Sequence, residues 1–558
     1  MVKSMLNFVY REVRGLHQAA YILALFAVGS QILAIVRDRL LAHTFGAGPE
    51  LDLYYAAFRI PDLLFVLFAS VLSVYVLLPY VAKEDEASGK TLGKEVLSQV
   101  FTIFLVVYTI ASLVIALTAP LYLHLIFPGF TEHFETLTIL MQILLLQPFL
   151  LGLSSLCGVV TQMSHRFVLY AISPLLYNVG IIFGIAILYP MFGLVGLVSG
   201  VVLGALGHLL VQVPYMLRST HRFGLSLKFD WKLLGNIIGS AIPRALTLSV
   251  NQIVLLVFVG MATVMAAGSV SVFQFAYNLQ SVPLAIIGMS YSVAAFPTLS
   301  SLYAKQDSHG FNLQLLTAFR HIIFWSMPII ALVIVLRAQI VRVLLGSGEF
   351  NWEDTRLTAA VLAIFVFSLV AQAILLLLTR AFYACGRVMI PLIIALFSGT
   401  VSVVLAFVFL SLYENASATQ SLIESWLRVS GVGGTEILAL VVAFAIGQFI
   451  QLLLMMIVSV RQFQIKYHLL MRLLWQSSLA AFVGGVASYA TLLFIVDGVN
   501  QETFIGIFIQ GFTAGMVGLL AVIGVYRAVQ SPELSELGRS FRAKVLKNNE
   551  IVPQQETL

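Results

Sequence analysis

Long apolar runs separated by short polar segments are the main feature of this chain. A helix needs about 20 apolar residues to cross the hydrocarbon core of a bilayer, and fourteen runs approach or exceed that length. The runs cover residues 16–36, 58–82, 97–119, 136–160, 167–188, 193–216, 237–265, 272–299, 317–336, 357–378, 389–410, 437–460, 474–496 and 504–525. The pattern predicts an all-α polytopic membrane protein with about fourteen transmembrane helices.

Composition supports this interpretation. The 558 residues are 60% hydrophobic and only 10% charged, whereas soluble domains carry about 25% charged residues. The net charge of +6 is modest and does not indicate a nucleic-acid partner. Cys157 and Cys385 lie far apart beside apolar runs, which predicts packing residues rather than a disulfide framework or a zinc site. The basic segment 1–15 leads into an apolar run without a cleavage signal, so the first helix is expected to be retained.

The distribution of Lys and Arg predicts the orientation in the membrane. Of the 31 such residues, 23 fall in segments on the side of the N-terminus and six on the other side, while Arg59 and Arg244 fall inside predicted spans. Positively charged short loops are typically cytoplasmic. Both termini are therefore expected to be cytoplasmic, which also requires an even number of spans.

A weak internal repeat divides the chain. Residues 57–60, Ala-Phe-Arg-Ile, have a counterpart in residues 276–279, Ala-Tyr-Asn-Leu, and Pro79 has one in Pro297. Parallel repeats with the substrate site between the halves are a transporter architecture. We expect an N-terminal six-helix bundle at 1–232, a second six-helix bundle at 233–466, two additional helices at 467–526 and a cytoplasmic tail at 527–558.

Charged side chains within or beside the spans are the candidate site, because each costs roughly 2.5–3.5 kcal/mol in the bilayer. Guanidinium groups bind phosphate in a bidentate manner, so one interpretation is a water-filled cavity whose arginines hold an anionic headgroup. The other interpretation is internal pairing of Arg59 with Asp62, and of Asp38 with a neighbouring arginine. The charged residues are Arg37, Asp38, Arg39, Asp52, Arg59 and Asp62, and Arg244 after Pro243 in the seventh span.

Catalytic chemistry finds little support in the spans. None of them holds a pair of carboxylates deep in the membrane, which argues against a proton relay and against acid–base catalysis in the bilayer. His208 stands alone in the sixth span, where a packed, hydrogen-bonded role is the simpler interpretation. We therefore expect a transporter rather than an enzyme, with no cofactor and no metal ion.

Short motifs along the chain resemble those of a known family. They are Ser30-Gln31-Ile32-Leu33, Arg37-Asp38, Phe45-Gly46-Ala47-Gly48, Asp52, Ala57-Phe58-Arg59-Ile60-Pro61, Pro128-Gly129-Phe130, Ala276 to Pro297, Gly348-Glu349-Phe350 and Phe382-Tyr383. Together they resemble the MurJ/MviN family of lipid II flippases, in the multidrug/oligosaccharidyl-lipid/polysaccharide exporter superfamily. The resemblance covers essentially the whole chain. It implies two six-helix bundles in a V shape around a cationic cavity, with the last two helices forming a groove for a lipid tail.

The resemblance also implies roles for single residues. Arg37 matches a cavity arginine, Arg59 a basic position and Asp52 an acidic position, and all three are expected to bind substrate. Structural roles are implied for the remaining motif residues, which are Asp38, Gly46, Gly48, Pro61 and Asp62.

The chain departs from the family pattern at several positions. Gln31, Phe65-Val66 and Asn278 stand where the family has arginines, Ser70-Val71 replaces a Glu-Gly pair, and Ser281 replaces an acidic residue. Asn278 is still expected to contact substrate, and Arg244 is expected to restore part of the lost charge. The family's sodium site uses carboxylates in the seventh and eleventh helices, which are absent here, so sodium binding is not expected.

The implied function is alternating-access flipping of lipid II, an undecaprenyl-pyrophosphate saccharide, across the bacterial cytoplasmic membrane. Membrane lipid and wall-synthesis proteins would be further partners. The missing arginines leave open a flippase for an O-antigen-like or teichoic-acid-like oligosaccharide, or a drug exporter. A membrane enzyme acting on polyprenyl lipids is disfavoured by the lack of clustered His, Asp and Glu. A non-transporting scaffold for wall synthesis is the last alternative.

Overall fold

The structure is a computed structural model that describes residues 16–73, 76–77, 79–81, 93–415, 417–495, 500, 503–536 and 539. The basic segment 1–15, most of the segment between the second and third predicted spans and most of the expected tail lie outside the described residues.

The described residues up to Arg218 form nine α-helices. A short 3-10 helix at Thr131–His133 precedes the fifth, and a π-helical turn at Gly184–Leu188 follows the seventh. The helices are α1 (Leu16–Phe45), α2 (Pro49–Ala57), α3 (Arg59–Val71), α4 (Gly93–Ile126), α5 (Phe134–Leu144), α6 (Leu146–Met163), α7 (Phe167–Phe183), α8 (Tyr189–Leu210) and α9 (Val213–Arg218).

Eleven further α-helices follow in the described part of the chain, which contains no β-strand. They are α10 (Trp231–Ala262), α11 (Ser269–Leu284), α12 (Ser290–Ala304), α13 (Ser308–Leu344), α14 (Trp352–Phe367), α15 (Leu369–Ala384), α16 (Met389–Asn415), α17 (Ser417–Leu427), α18 (Ile437–Phe463), α19 (Met471–Ile495) and α20 (Phe504–Ala528).

The number of membrane-spanning segments agrees with the prediction. Eleven segments of the described chain are long and apolar enough to cross a membrane, or twelve when the bent pair α14–α15 counts as one span. One of the eleven, Phe167–Arg218, has 52 residues and is interrupted at Gly193, whose φ of 60° and ψ of −147° are not helical, so it accounts for two predicted spans. With α1, a helix of 30 residues, the described residues accommodate about fourteen spans. The all-α polytopic fold class is confirmed.

Helix boundaries differ from the prediction where polar residues occur. The first predicted span ends at Val36, but α1 continues to Phe45, so Arg37 and Arg39 lie in the helix and not in a loop. The tenth predicted span, 357–378, bends by 43° between α14 and α15. Apolar run length alone cannot detect either feature, because intrahelical hydrogen bonding continues through charged residues.

The described chain divides into two compact units. Unit 1 contains everything up to Asn278 together with Leu344–Val361 and Val388–Gly447, and unit 2 contains Leu279–Val343, Leu362–Arg387 and everything from Gln448. In unit 1, α7 packs against α1 and α8, and α10 packs against α3 and α16; in unit 2, α19 packs against α20, and α12 against α15. The division into bundles at 232, 466 and 526 stays a prediction.

Glycines allow α7 and α8 to approach closely in unit 1. A Cβ atom at Gly180 would clash with the backbone of Gly204, and one at Gly204 would clash with the Tyr177 carbonyl oxygen. Small residues permit such backbone contact between membrane helices. This packing fixes the face of α7 that carries Tyr177 and Asn178, both of which contribute to the site described next.

Candidate functional site

The C-terminal half of α1 carries Arg37 and Asp38. The Nε and Nη2 atoms of Arg37 donate to Asp38 Oδ1 at 2.8 and 2.7 Å, and Nη1 donates to Asn178 Oδ1 of α7 at 3.3 Å. Asn178 is itself held, because its Nδ2 donates to Ser30 Oγ at 3.2 Å and to the Pro174 carbonyl at 3.1 Å. The guanidinium of Arg37 is thus fixed between α1 and α7.

Arg59 is the first residue of α3 and is buried, with 6% of its surface exposed. Its Nη2 donates to Gln274 Oε1 of α11. Among the described residues no ion pair joins it to Asp62, and its buried Nε has no hydrogen-bond partner. Arg59 therefore has Gln274 as its partner and retains hydrogen-bonding capacity for a ligand.

Two amides on α11 connect the two arginines. Gln274 Nε2 donates to Asn278 Oδ1 at 2.6 Å, and Asn278 Nδ2 donates to Asp38 Oδ2 at 3.1 Å. Residues four apart on a helix lie on one face, which brings these side chains into line. The charged ends determine how the amides are oriented, because Arg59 can only donate and an ionised Asp38 can only accept. A hydrogen-bond chain therefore runs from Arg59 through Gln274 and Asn278 to Asp38 and Arg37.

All members of this hydrogen-bond chain except Asp38 line a cavity of about 200 Å³ in unit 1. Tyr55 is 7% exposed, and its hydroxyl, like Arg59 Nε, is buried without a hydrogen-bond partner among the described residues. Buried polar atoms normally have partners, so two unpartnered ones in one cavity indicate a place for a polar ligand. The polar lining residues are Arg37, Arg59, Asp62, Gln274 and Asn278, and the aromatic ones are Tyr54, Tyr55, Phe58 and Tyr177.

The charges around this cavity are balanced. Arg37 and Arg59 contribute two guanidinium groups, while Asp62 lines the cavity and Asp38 is paired with Arg37. The cationic cavity implied by the family resemblance is therefore offset here by two carboxylates. An anion that binds the paired edge of Arg37 would have to displace Asp38, whereas Arg59 Nε has no partner to displace among the described residues.

Asp52 lies outside the cavity and contacts the start of α11. Its Oδ2 accepts from the Gly268 amide at 2.7 Å, and its Oδ1 accepts from the Ser271 amide at 2.7 Å and the Ser271 hydroxyl at 2.5 Å. The carboxylate is 4% exposed and caps the first turn of the helix, where backbone amides otherwise lack partners. These contacts support a structural role, and the substrate contact expected for Asp52 stays a prediction.

The two motif glycines shape the connection between α1 and α2. Gly46 has a φ of 60°, and a Cβ atom there would lie 2.7 Å from the Glu349 carbonyl oxygen. Gly48 precedes α2 in an extended conformation, and Pro49 follows in the first turn, a position that suits proline. These features support a structural role for both glycines, and the role expected for them stays a prediction.

Some of the remaining residues were predicted from the sequence as site residues, and others line the cavity without having been predicted. Arg244 is half-buried in α10 and is not among the residues that line the cavity, so its role stays a prediction. Pro61 is buried in the first turn of α3. Sequence reasoning missed the three tyrosines and Gln274. The four-residue spacing of Gln274 and Asn278 was the available signal, since it places two amides on one helix face.

Comparison with known families gives a consistent result. A family model described as "Lipid II flippase MurJ" matches residues 41–509. A "Probable lipid II flippase MurJ" of Buchnera aphidicola subsp. Acyrthosiphon pisum (strain APS) is 28% identical over 424 residues, which cover 73% of this chain and 80% of that protein. A protein of the same description from Rhizobium tropici is 29% identical over 371 residues, or 64% of this chain and 68% of its own length.

Solved structures share the fold. A structure described as "Lipid II flippase MurJ, inward closed conformation" superposes with a TM-score of 0.71 at 19% identity, covering 91% of this chain and 99% of its own. An inward-facing multidrug resistance MATE family transporter of the MOP superfamily superposes with a TM-score of 0.59 at 18% identity, covering 76% and 95%. At these identities the likeness shows the fold alone.

Proposed function

Because the family model matches residues 41–509, well over half of the chain, the chain belongs to the lipid II flippase MurJ family, and from this premise we propose that it flips lipid II. The direction is from the inner to the outer leaflet of the bacterial cytoplasmic membrane. The protein is a transporter and not an enzyme in this proposal. The relatives described as lipid II flippases support the choice of substrate.

The cavity in unit 1 is the observation that carries the proposal at the level of residues. The cavity is lined by Arg37, Arg59 and Tyr55. Two buried polar groups in it, Arg59 Nε and the Tyr55 hydroxyl, have no hydrogen-bond partner among the described residues. Arginine binds phosphate oxygens through two parallel hydrogen bonds, and tyrosine offers an aromatic face together with a hydroxyl. These groups suit the phosphate and first sugar of a lipid-linked saccharide.

The size of the cavity limits what it encloses in this conformation. Drug-sized ligands occupy pockets of about 300–1,000 Å³, and this cavity has about 200 Å³. A saccharide-peptide headgroup is larger still, so only its phosphate region would fit without a conformational change. We therefore assign the cavity to the diphosphate and expect it to open for the rest of the headgroup.

Charge balance suggests how the diphosphate enters. Arg37 donates twice to Asp38 Oδ1, so a phosphate oxygen that takes this edge of the guanidinium displaces Asp38. Asp38 would then keep only the hydrogen bond that its Oδ2 accepts from Asn278 of α11, and the chain from Arg59 would no longer reach Arg37. Substrate binding would thereby loosen the connection between α1 and α11, which is a way to couple binding to the alternating-access movement.

Complementation with matched variants tests the proposal. The resident lipid II flippase of a test bacterium is depleted, the chain is expressed, and lipid II exposed on the outer leaflet is measured. Arg37→Ala and Arg59→Ala should each lower the exposure rate roughly 10- to 100-fold, the equivalent of a charge-assisted hydrogen bond of about 1.5–3 kcal/mol. Arg39→Ala is the control, because it removes the same charge from α1 at a residue that does not line the cavity.

Each outcome separates the alternatives. Equal rates of lipid II exposure in all three variants would show that the cavity takes no part in transport. Failure of the unmodified chain to expose lipid II, despite expression in the membrane, would favour another lipid-linked saccharide. Growth supported equally by the Arg37→Ala and Arg59→Ala variants, without flipping, would favour a scaffold for wall-synthesis proteins.

Two further parts of the proposal need their own tests. The bias of Lys and Arg supports cytoplasmic termini, and a C-terminal reporter that fluoresces only in the cytoplasm would check this orientation. Arg244 is proposed to supply part of the charge that Asn278 lacks. Full transport by an Arg244→Ala variant would contradict that role.

A further inference from the structure

A second cavity, of about 220 Å³, lies in unit 2. It is formed by the N-terminal third of α13, the first turn of α19 and the segment that follows α20. Leucines such as Leu316, Leu470 and Leu473 form its apolar wall, and two guanidinium groups, those of Arg320 and Arg472, line it as well. Isolated surface charges are expected to pair with other charged residues. Two guanidinium groups beside an apolar wall do not fit that expectation.

A buried carboxylate fixes one of these arginines. Glu533 is 2% exposed, and its Oε1 accepts from Arg320 Nε at 2.8 Å and Nη2 at 2.7 Å, while its Oε2 accepts from the Ser531 hydroxyl at 2.6 Å. Burial alone would raise the pKa of Glu533, but the hydrogen bonds from Ser531 and Arg320 hold it below its ordinary value. The carboxylate is therefore charged, and it orients Arg320.

The opposite edge of the Arg320 guanidinium is the part that a ligand can use. Five N–H donors are present on an arginine, and Glu533 occupies one edge of the group. Nη1 makes no hydrogen bond to a described residue, and about a third of the side chain is exposed. Arg472 is exposed at the rim and has no ion pair in the described part of the chain.

The charges define the class of ligand. Two guanidinium groups and one carboxylate leave a single net positive charge, which matches the single negative charge of a phosphodiester. We propose that this cavity binds the phosphodiester headgroup of an anionic membrane phospholipid between Arg320 and Arg472. A diphosphate would carry more negative charge than the site can balance, so this lipid is distinct from the transported substrate, and the proposal does not depend on what is transported.

The apolar surface next to the cavity suits the rest of a phospholipid. Leu469 is 59% exposed and Trp475, one turn from Arg472, is 72% exposed; further along α19, Phe482 is 70% exposed. Tryptophan concentrates at the level of the headgroups, and basic pockets between helices bind anionic headgroups. The headgroup would therefore lie in the cavity while an acyl chain follows the exposed face of α19.

Lipid binding by the purified full-length chain tests the site. Phosphatidylglycerol and phosphatidylcholine with identical acyl chains are titrated in detergent, and bound lipid is counted by native mass spectrometry. Arg472→Gln should weaken phosphatidylglycerol binding about fivefold, because one basic residue near a membrane surface contributes about 1 kcal/mol, and should leave phosphatidylcholine binding unchanged. Arg461→Gln is the control, since it removes the same charge from an exposed residue of α18 that does not line the cavity.

The outcomes either support or overturn the site. A selective loss in Arg472→Gln, restored by Arg472→Lys, supports it. Equal losses in Arg472→Gln and Arg461→Gln would show general surface attraction, and no loss in either would show that the cavity is not used. Displacement of the lipid by millimolar glycerol 3-phosphate would make a soluble phosphate ester the ligand and overturn the assignment to a lipid.

Discussion

Removing the carboxylate of Asp52 should destabilise the protein, because this side chain caps a helix that starts more than 200 residues later. The carboxylate accepts from two backbone amides, those of Gly268 and Ser271, at 2.7 Å each. Both hydrogen bonds are buried, and Asp52 itself is 4% exposed. Water therefore cannot replace the lost acceptor without a rearrangement of the start of α11.

The expected magnitude follows from these hydrogen bonds. An unsatisfied buried donor costs about 1–3 kcal/mol, and replacing an N-cap side chain by alanine costs about 0.5–2 kcal/mol. Because the two estimates describe the same bonds, they do not add. Asp52→Ala leaves two buried amides without an acceptor, so it should lower the free energy of unfolding by about 2–6 kcal/mol, which is about 1–3 kcal/mol for each amide. Asp52→Asn keeps one acceptor oxygen but loses the charge that favours a helix N-terminus, so about 1–2 kcal/mol is expected for it.

Unfolding in lipid bicelles, measured alongside lipid II exposure, tests this reasoning. Glu50→Gln is the control, because Glu50 precedes Asp52 on the same helix and accepts one exposed hydrogen bond, from the Tyr189 hydroxyl at 2.8 Å. It should cost no more than about 0.5 kcal/mol. An Asp52→Asn variant with the stability of the unmodified chain but without transport would refute the capping role and favour substrate contact.

Three further predictions address packing, pH and driving force. Gly204→Ala should lower the free energy of unfolding by about 1–3 kcal/mol, because the new Cβ atom would meet a backbone oxygen. Gly235→Ala has nothing within 4 Å of the new Cβ atom and should stabilise α10 by up to about 1 kcal/mol. Thermal unfolding of the two variants compares these effects. The hydrogen bonds that lower the pKa of Glu533 contribute their full stabilisation above the unfolded pKa of about 4.3. The stability advantage over Glu533→Gln should therefore persist from pH 7 to about 5 and shrink as the pH falls below that value towards the folded pKa. Collapsing an inside-negative potential should slow outward flipping, since it supplies about 2.3 kcal/mol per charge per 100 mV.

The fold class and the number of spans could be predicted because both depend on one property, the length of apolar runs. That property fails where a helix continues through charge, as at Arg37, which lies in α1 beyond the predicted end of the first span at Val36. It succeeds at Gly193, whose φ of 60° interrupts the helix where the sixth predicted span begins. The predicted boundary is accordingly inaccurate at the end of α1, the part of the helix that carries Arg37.

The cationic part of the site was predictable for the same energetic reason. Charges in a bilayer are costly, so Arg37, Arg59, Asp38 and Asp62 attract attention without a structure. Tyrosines and amides carry no such signal, because they occur in many spans for packing or interfacial reasons. Asp52 illustrates a different limit: Ser269 stands at the start of α11 and looks like its own cap, while the observed cap comes from a residue in α2.

The amides of Gln274 and Asn278 change the electrostatic character that an arginine would give this position. Each amide is neutral and has one accepting and one donating end. The two amides therefore link the donor Arg59 to the acceptor Asp38 through hydrogen bonds without adding charge. With arginine at 278 the cavity would carry an excess positive charge at rest and would bind a diphosphate by attraction alone. With asparagine, the guanidinium of Arg37 is already paired with Asp38, and an anion must compete for it. Competition lowers resting affinity but also eases release, because Asp38 is placed to reclaim Arg37 when the diphosphate leaves.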